Sequence, residues 1–167
     1  LRLIDASNFT HSEILKFTST NDNILVQSED KKMFKSNDFK IVSKKKPSIS
    51  LFNDLIFAFN ICRYVKSNAI VLASNKSTLG IGCGQTSRLD SCQIAIDKMR
   101  KFTKPSKDIV AASDAFFPFT DGIEKLVQSG VKAVIQPAGS IKDKEVIKFA
   151  NETGTILVFS KTRHFRH

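Results

Sequence analysis

Ile109-Val110-Ala111-Ala112-Ser113-Asp114-Ala115-Phe116-Phe117-Pro118-Phe119-Thr120-Asp121-Gly122-Ile123 is the stretch on which the fold turns. The apolar run 109–112 is short and gives way at once to turn formers, which predicts a strand buried on both faces. Ile123, Leu126 and Val127 then recur at helical spacing, so a helix is predicted over 121–129 with Gly130 as its stop. A buried strand that runs through a proline-braced turn into a helix is a unit of open α/β sheets, which bind ligands outside the carboxyl ends of their strands. The loop between them carries Phe116, Phe117 and Phe119 around Pro118, flanked by Asp114 and Asp121. One aromatic there would be core filling. Three in four positions beside two carboxylates suit a flat, partly polar ligand.

Working outward, 131–135 reads as the next strand, and Pro137-Ala138-Gly139-Ser140 leads into a helix opened by Ser140-Ile141-Lys142-Asp143 and ended by Gly154. Thr155 to Phe159 makes the final strand. On the other side, Leu51, Phe52, Leu55, Ile56, Phe59, Cys62 and Val65 form the stripe of a buried helix capped by Ser50 or Ser48. Ala69–Ala73 and Thr78–Ile81, joined by Ser74-Asn75-Lys76-Ser77, read as a hairpin. A helix with Leu89, Cys92, Ile96 and Met99 on one stripe follows and closes at Phe102-Thr103-Lys104-Pro105. The first forty-odd residues alternate short β-rich pieces, Leu1–Ile4, Ile24–Gln27 and Phe39–Val42, with polar turns. The expected architecture is a layered α/β domain whose mixed sheet is flanked by helices.

With 167 residues and 41% apolar content the chain can bury a sizeable core, and its apolar runs are too short to span a bilayer, so a soluble domain without membrane attachment is expected. Leu1 is not a Met and no basic-then-apolar secretory layout follows, which suggests a start inside a longer polypeptide. Three cysteines, Cys62, Cys83 and Cys92, lack CxxC spacing and suit a reducing, cytoplasmic setting. Twenty-six Lys and Arg against 16 Asp and Glu give +10, which points to an anionic partner. The lysines at 31, 32, 35, 40 and 44–46 lack interleaved aromatics and read as a solvated rim, leaving a basic RNA-binding α/β domain as the alternative reading. The tail Lys161-Thr162-Arg163-His164-Phe165-Arg166-His167 is better suited to a phosphate.

Gly80-x-Gly82-x-Gly84 is too tightly spaced for a dinucleotide fingerprint, yet its glycines allow close backbone approach to a ligand, and Gln85-Thr86-Ser87-Arg88 puts polar groups at a helix N-terminus. Asn68 sits at a helix-to-strand junction, where cap or turn duty is the ordinary explanation. Ser140 and the neighbouring amides suit a helix cap and a ligand's polar edge equally well. Zinc deaminase chemistry is excluded, because neither His-x-Glu nor Pro-Cys-x-x-Cys occurs, and no metal site is expected.

Taken together, Lys66-Ser67-Asn68-Ala69-Ile70, the segment Gly80 to Arg88, Ala112 to Phe119, Val134 to Ser140 and Arg163-His164-Phe165-Arg166-His167 closely resemble the AICAR transformylase part of the bifunctional purine-biosynthesis enzyme that also carries IMP cyclohydrolase. The resemblance covers essentially the whole chain and is weakest over its first fifty residues. It implies a formyltransferase that moves a formyl group from 10-formyltetrahydrofolate, as co-substrate, to the exocyclic amine of the AICAR nucleotide. It further implies a cytidine-deaminase-like fold and makes residues 1–167 a single domain, the second, C-terminal subdomain of the transformylase, with the first subdomain and the cyclohydrolase domain absent. The family's Lys-His pair belongs to that first subdomain, so this chain by itself is expected to be inactive. Carried over residue by residue, the resemblance makes Asn68 catalytic, beside the transferring formyl, and gives Phe116 and Arg163 to the nucleotide. Arg88, Leu89, Pro118, Phe119, Asp121 and Ser140 fall on the folate side. A homodimer is implied, with sites formed across the subunit interface. Thr120, Cys83 and Ala138 depart from the residues most frequent in the family, Arg, Ala and Gly.

Overall fold

The structure, a computed structural model, describes Asp5 and residues 15–102 and 107–166. The chain divides into two compact units, Leu1–Lys32 and Met33–His167. In the first, β1 (Leu15–Ser19) and β2 (Ile24–Ser28) pair antiparallel, Phe17 opposite Val26. The predicted strand at Leu1–Ile4 lies outside the described residues, and β1 was not foreseen.

The second unit contains β3 (Phe39–Ile41), α1 (Ile49–Cys62), β4 (Ile70–Ser74), β5 (Ser77–Gly82), α2 (Arg88–Phe102), β6 (Ile109–Ser113), α3 (Asp121–Gln128), β7 (Val131–Pro137), α4 (Asp143–Thr153) and β8 (Ile156–Ser160). Its six strands form one mixed sheet in the order β3-β8-β7-β6-β4-β5. The central pairs β8–β7 and β7–β6 are parallel, while β3, β4 and β5 join antiparallel.

Alternation along the strands sorts the core into two layers. Val71, Ala73, Val110, Ala112, Ala133 and Ile135 meet α1 through Leu51, Leu55, Ala58, Phe59 and Cys62. Ile70, Leu72, Ala111 and Val134 face the opposite way, against Cys92, Ala95 and Ile96 of α2, Ile123 and Leu126 of α3, and Val146 and Ala150 of α4. The result is a sheet between one helix and three. All five residues of β4, β6 and β8 are buried, as strands covered on both faces must be.

The helix ends show why the elements stop where they do. Ser48 caps α1, its hydroxyl accepting from the Leu51 amide at 3.2 Å. Gly154, at φ 67°, closes α4 in the left-handed conformation that glycine adopts without a Cβ penalty. The start of α4 lies three residues later than Ser140. The Asp143 carboxylate accepts from the Gly139 and Ser140 amides at 2.8 and 3.3 Å, and the Ser140 hydroxyl accepts from the Lys142 amide at 3.1 Å.

Gly80 and Gly82 serve close approach, but to a helix rather than to a ligand. A Cβ at Gly80 would lie 2.1 Å from the Ala95 carbonyl oxygen, and one at Gly82 would lie 1.9 Å from that of Ser91. Glycine therefore lets β5 lie directly against the backbone of α2, which sets where the N-terminus of that helix stands.

Candidate functional site

The register of the sheet builds the site. Ile70 pairs with Ser113 across β4 and β6, so the residues just before β4 and just after β6 emerge at the same sheet edge. There Asn68, the α2 N-terminus, the 115–119 loop, the first turn of α3 and the C-terminal tail enclose a hollow of about 520 Å³. Its lining includes Asn68, Arg88, Leu89, Phe116, Pro118, Phe119, Asp121 and Arg163. Eight of the nine residues singled out from sequence thus share one cavity. Ser140 is the ninth and is not among the lining residues; its hydroxyl and amide serve the start of α4.

The three loop aromatics divide between two duties. Phe117 is buried in the core and packs where Gly122 leaves room, since a Cβ there would come within 2.6 Å of its ring. Phe116 is half-buried and Phe119 exposed, so these two supply the apolar wall that a flat ligand needs. Asp121 is exposed in the first turn of α3, one carboxylate oxygen accepting from the Gly122 amide at 2.7 Å. Arg163 is exposed and stacks its guanidinium 4.7 Å from the centre of the Phe165 ring.

Behind the hollow lies a polar network that the sequence did not reveal. Arg88 donates to the Asp114 carboxylate, to the Ser113 hydroxyl at 2.9 Å and to the Asn68 side-chain oxygen at 2.8 Å. The Asn68 amide nitrogen donates to the main-chain oxygens of Gln85 and Thr86 at 2.9 and 3.2 Å. The fully buried Asp114 also accepts from the Ser67 hydroxyl at 2.6 Å, and its carbonyl accepts from the His164 amide at 2.9 Å. Ser67 and Arg166 are joined by two more bonds, from the Ser67 amide to the Arg166 carbonyl at 2.9 Å and from the Arg166 amide to the Ser67 hydroxyl at 3.2 Å. The tail is thereby stitched beside residues 64–67, which carries Arg163 to the rim.

His164 does no chemistry at the rim: it is buried edge-on to Phe34 at 5.1 Å and lies 4.6 Å from Phe59. Cys62 and Cys92 lie in the core. Burial pushes the Cys62 thiol well above its ordinary value and that of Cys92 up to about 12. Lys31, Lys32, Lys35, Lys40 and Lys44 to Lys46 are all exposed. No group of His, Cys, Asp and Glu among the described residues is placed to hold a metal ion, and no helix among them is long and apolar enough to cross a membrane.

Comparison with known proteins decides the lineage. The model of the AICARFT/IMPCHase bienzyme family matches residues 1–98. The bifunctional purine biosynthesis protein PurH of Persephonella marina is 44% identical over 168 residues, an alignment covering 100% of this chain and 32% of that protein. The chain belongs to the AICARFT/IMPCHase bienzyme family. The PurH protein of Polynucleobacter asymbioticus is 46% identical over 151 residues, 90% of this chain and 29% of its own length. The chain therefore spans about a third of the length of the curated relatives it matches. The family match takes in the first fifty residues, where the quoted motifs are sparsest.

Ser67, Thr86, Ser87 and Phe165 enter the sequence reading only within longer motifs, Thr86 and Ser87 as polar groups at a helix N-terminus and Phe165 in the basic tail, and none carries a site assignment of its own. Thr86, Ser87 and Phe165 line the hollow and Ser67 braces it. The usable signal was adjacency: each lies within two residues of a position already singled out.

Proposed function

We propose that the hollow is the carboxyl-terminal half of a formyltransferase site, which takes the AICAR nucleotide and 10-formyltetrahydrofolate in the purine (IMP) branch that gives its relatives their name. One observation carries the reading: Asn68, Arg88, Leu89, Phe116, Pro118, Phe119, Asp121 and Arg163, which come from four separate segments, line one cavity. Residues 1–167 are then the second transformylase subdomain of a homodimeric, cytoplasmic enzyme that also carries IMP cyclohydrolase. This chain alone supplies half a site and no activity.

The chemistry asks for three things. The amine of the nucleotide is a poor nucleophile, because its lone pair is delocalised into the imidazole and its hydrogens engage the neighbouring carboxamide. Catalysis must orient that carboxamide, remove a proton and stabilise the oxyanion formed at the formyl carbon. The main chain at Phe116 suits the first task, and Arg163 at the rim suits the phosphate dianion. Asn68 suits the oxyanion, although both hydrogens of its amide are engaged here. The longer bond, to Thr86 on the solvent side, is the one that a ligand oxygen can replace. Asp121 accepts from the pterin, Phe119 and Pro118 cover its face, and Leu89 adds apolar surface. Arg88, already paired with Asp114, meets the anionic half of the folate with its remaining capacity. Ser140 belongs to the folate side through the α4 start rather than the cavity wall. Proton removal falls to a group outside this chain.

The test is a formyl-transfer assay with AICAR nucleotide and 10-formyltetrahydrofolate. The polypeptide extended to its relatives' length should turn over, Asn68→Ala in it should lose about 100-fold in kcat, and the 167-residue chain alone should be silent. Unchanged turnover in the Asn68 variant would refute the reading.

A further inference from the structure

We infer that Asp114 is a positioning residue that aligns the two arms of the site, the Arg88–Asn68 pair and the Arg163-bearing tail, from behind the cavity wall. The inference rests on the formyl-transfer reading for its functional consequence and on geometry for the rest. Asp114 is fully buried and is not among the residues lining the hollow, so it cannot meet a ligand without rearrangement. A buried carboxylate is costly unless every lone pair finds a donor. Here one oxygen takes Arg88 and the other takes Ser67 at 2.6 Å.

Each of those partners leads to a functional arm. Arg88 passes its second nitrogen to the Asn68 oxygen at 2.8 Å, which fixes the carboxamide with its NH2 group toward Gln85 and Thr86 and settles which end of Asn68 is the donor. Ser67 accepts from the Arg166 amide, and the Asp114 carbonyl accepts from the His164 amide, so the tail is gripped on both sides of Phe165, directly after Arg163. A guanidinium held by a carboxylate, a hydroxyl and an amide oxygen has little freedom left, and pre-set geometry of this kind is what a transfer between two bound substrates needs. Asp114 thereby couples the nucleotide arm to the folate arm.

The test uses Asp114→Asn, which keeps shape but removes the charge that holds Arg88, and Ser67→Ala, which removes the hydroxyl's bonds to Asp114 and from the Arg166 amide and leaves the charge in place. In the 167-residue chain, side-chain NMR reads the positioning directly. Wild type should show slowly exchanging Arg88 guanidinium protons and a resolved Asn68 carboxamide pair, and D114N should lose both while its backbone amide spectrum stays dispersed. In the polypeptide of relatives' length, D114N should lower kcat by about 100-fold and change either KM far less. Adding Arg88→Gln to D114N should raise the folate KM but lower kcat no further, because in positioning the two act as a unit. Additive losses in kcat, or Arg88 and Asn68 signals identical to wild type in D114N, overturn the inference. Should D114N fail to fold, S67A decides: a smaller loss of the same signals supports the inference, and wild-type signals overturn it. Loss of the signals in D114N together with no formyl transfer by the wild-type long polypeptide sinks the functional reading and leaves the positioning geometry standing.

Discussion

Replacing Gly82 by alanine asks how far the site depends on the seat of α2. The added methyl carbon would stand 1.9 Å from the Ser91 carbonyl oxygen, 2.6 Å from its carbonyl carbon and 2.9 Å from its Cα, all of them backbone atoms of the helix. No side-chain rotation relieves such a contact. To reach even 3.0 Å from the oxygen, strand and helix must part by about 1.1 Å at the turn next to Arg88. Overpacking against movable side chains costs about 1–3 kcal/mol, and against backbone the upper end, about 3 kcal/mol, is expected. The same shift carries Arg88 and Leu89 away from Asp114 and the 115–119 loop, and a displacement of about 1 Å at a positioned group is worth about 100-fold in turnover. Urea unfolding of the 167-residue chain measures the first effect. Gly154→Ala is the comparison, since its Cβ meets nothing within 4 Å and only the left-handed φ of 67° opposes it, at about 1 kcal/mol. A G82A protein within about 0.5 kcal/mol of wild type, with Arg88 still bonded to Asp114, would refute the reasoning.

The thiols give a second expected outcome. With Cys62 and Cys92 both held protonated by burial, a thiol reagent at pH 8 should modify Cys83 alone, and a second thiol reacting without denaturant would contradict the packing. The sign of the pH effect follows. The unfolded chain releases these protons near the ordinary 9.0 while folded Cys92 holds its own to about 12, so stability from this group is complete below 9 and declines as pH rises toward 12, as alkaline urea titrations should show. Asp54 braces the β4–β5 turn, accepting from the Asn75 and Lys76 amides at 2.8 Å each, where both residues have positive φ. Asp54→Ala should cost about 1–3 kcal/mol by urea unfolding and Asp54→Asn less, because one acceptor remains; equal stability in all three proteins would count against the brace.

Much of the fold was legible because the apolar spacing agrees with local stop signals. The stripe from Leu51 to Cys62, the hairpin around Asn75-Lys76, and the Gly130 and Gly154 stops all lie where periodicity and turn chemistry put them. β1 escaped notice because Leu15-Lys16-Phe17-Thr18-Ser19 is short and set among polar residues, and pairing with β2 rather than propensity makes it a strand. The α4 start lies later than expected because the Ser140 hydroxyl closes a turn with the Lys142 amide and the Asp143 carboxylate holds the Gly139 and Ser140 amides, which keeps 139–142 outside the helix. In the site, the lining residues could be singled out in sequence, but the bonds that hold them could not. Asn68, Arg88 and Asp114 are separated by 20 and 26 residues along the chain, and the β4–β6 register together with the seat of α2 on β5 brings them together. Nor could sequence separate Phe117 from its neighbours, since the space that admits its ring is made by the missing Cβ of Gly122.

The most direct measurement is calorimetric titration of the polypeptide extended to its relatives' length, with the AICAR nucleotide and with a 10-formylfolate analogue. Wild type should bind both. Arg163→Ala should weaken the nucleotide by about tenfold or more and spare the folate, while Asp121→Ala should do the reverse. Neither ligand binding, or both variants binding each ligand like wild type, would contradict the assignment of this hollow.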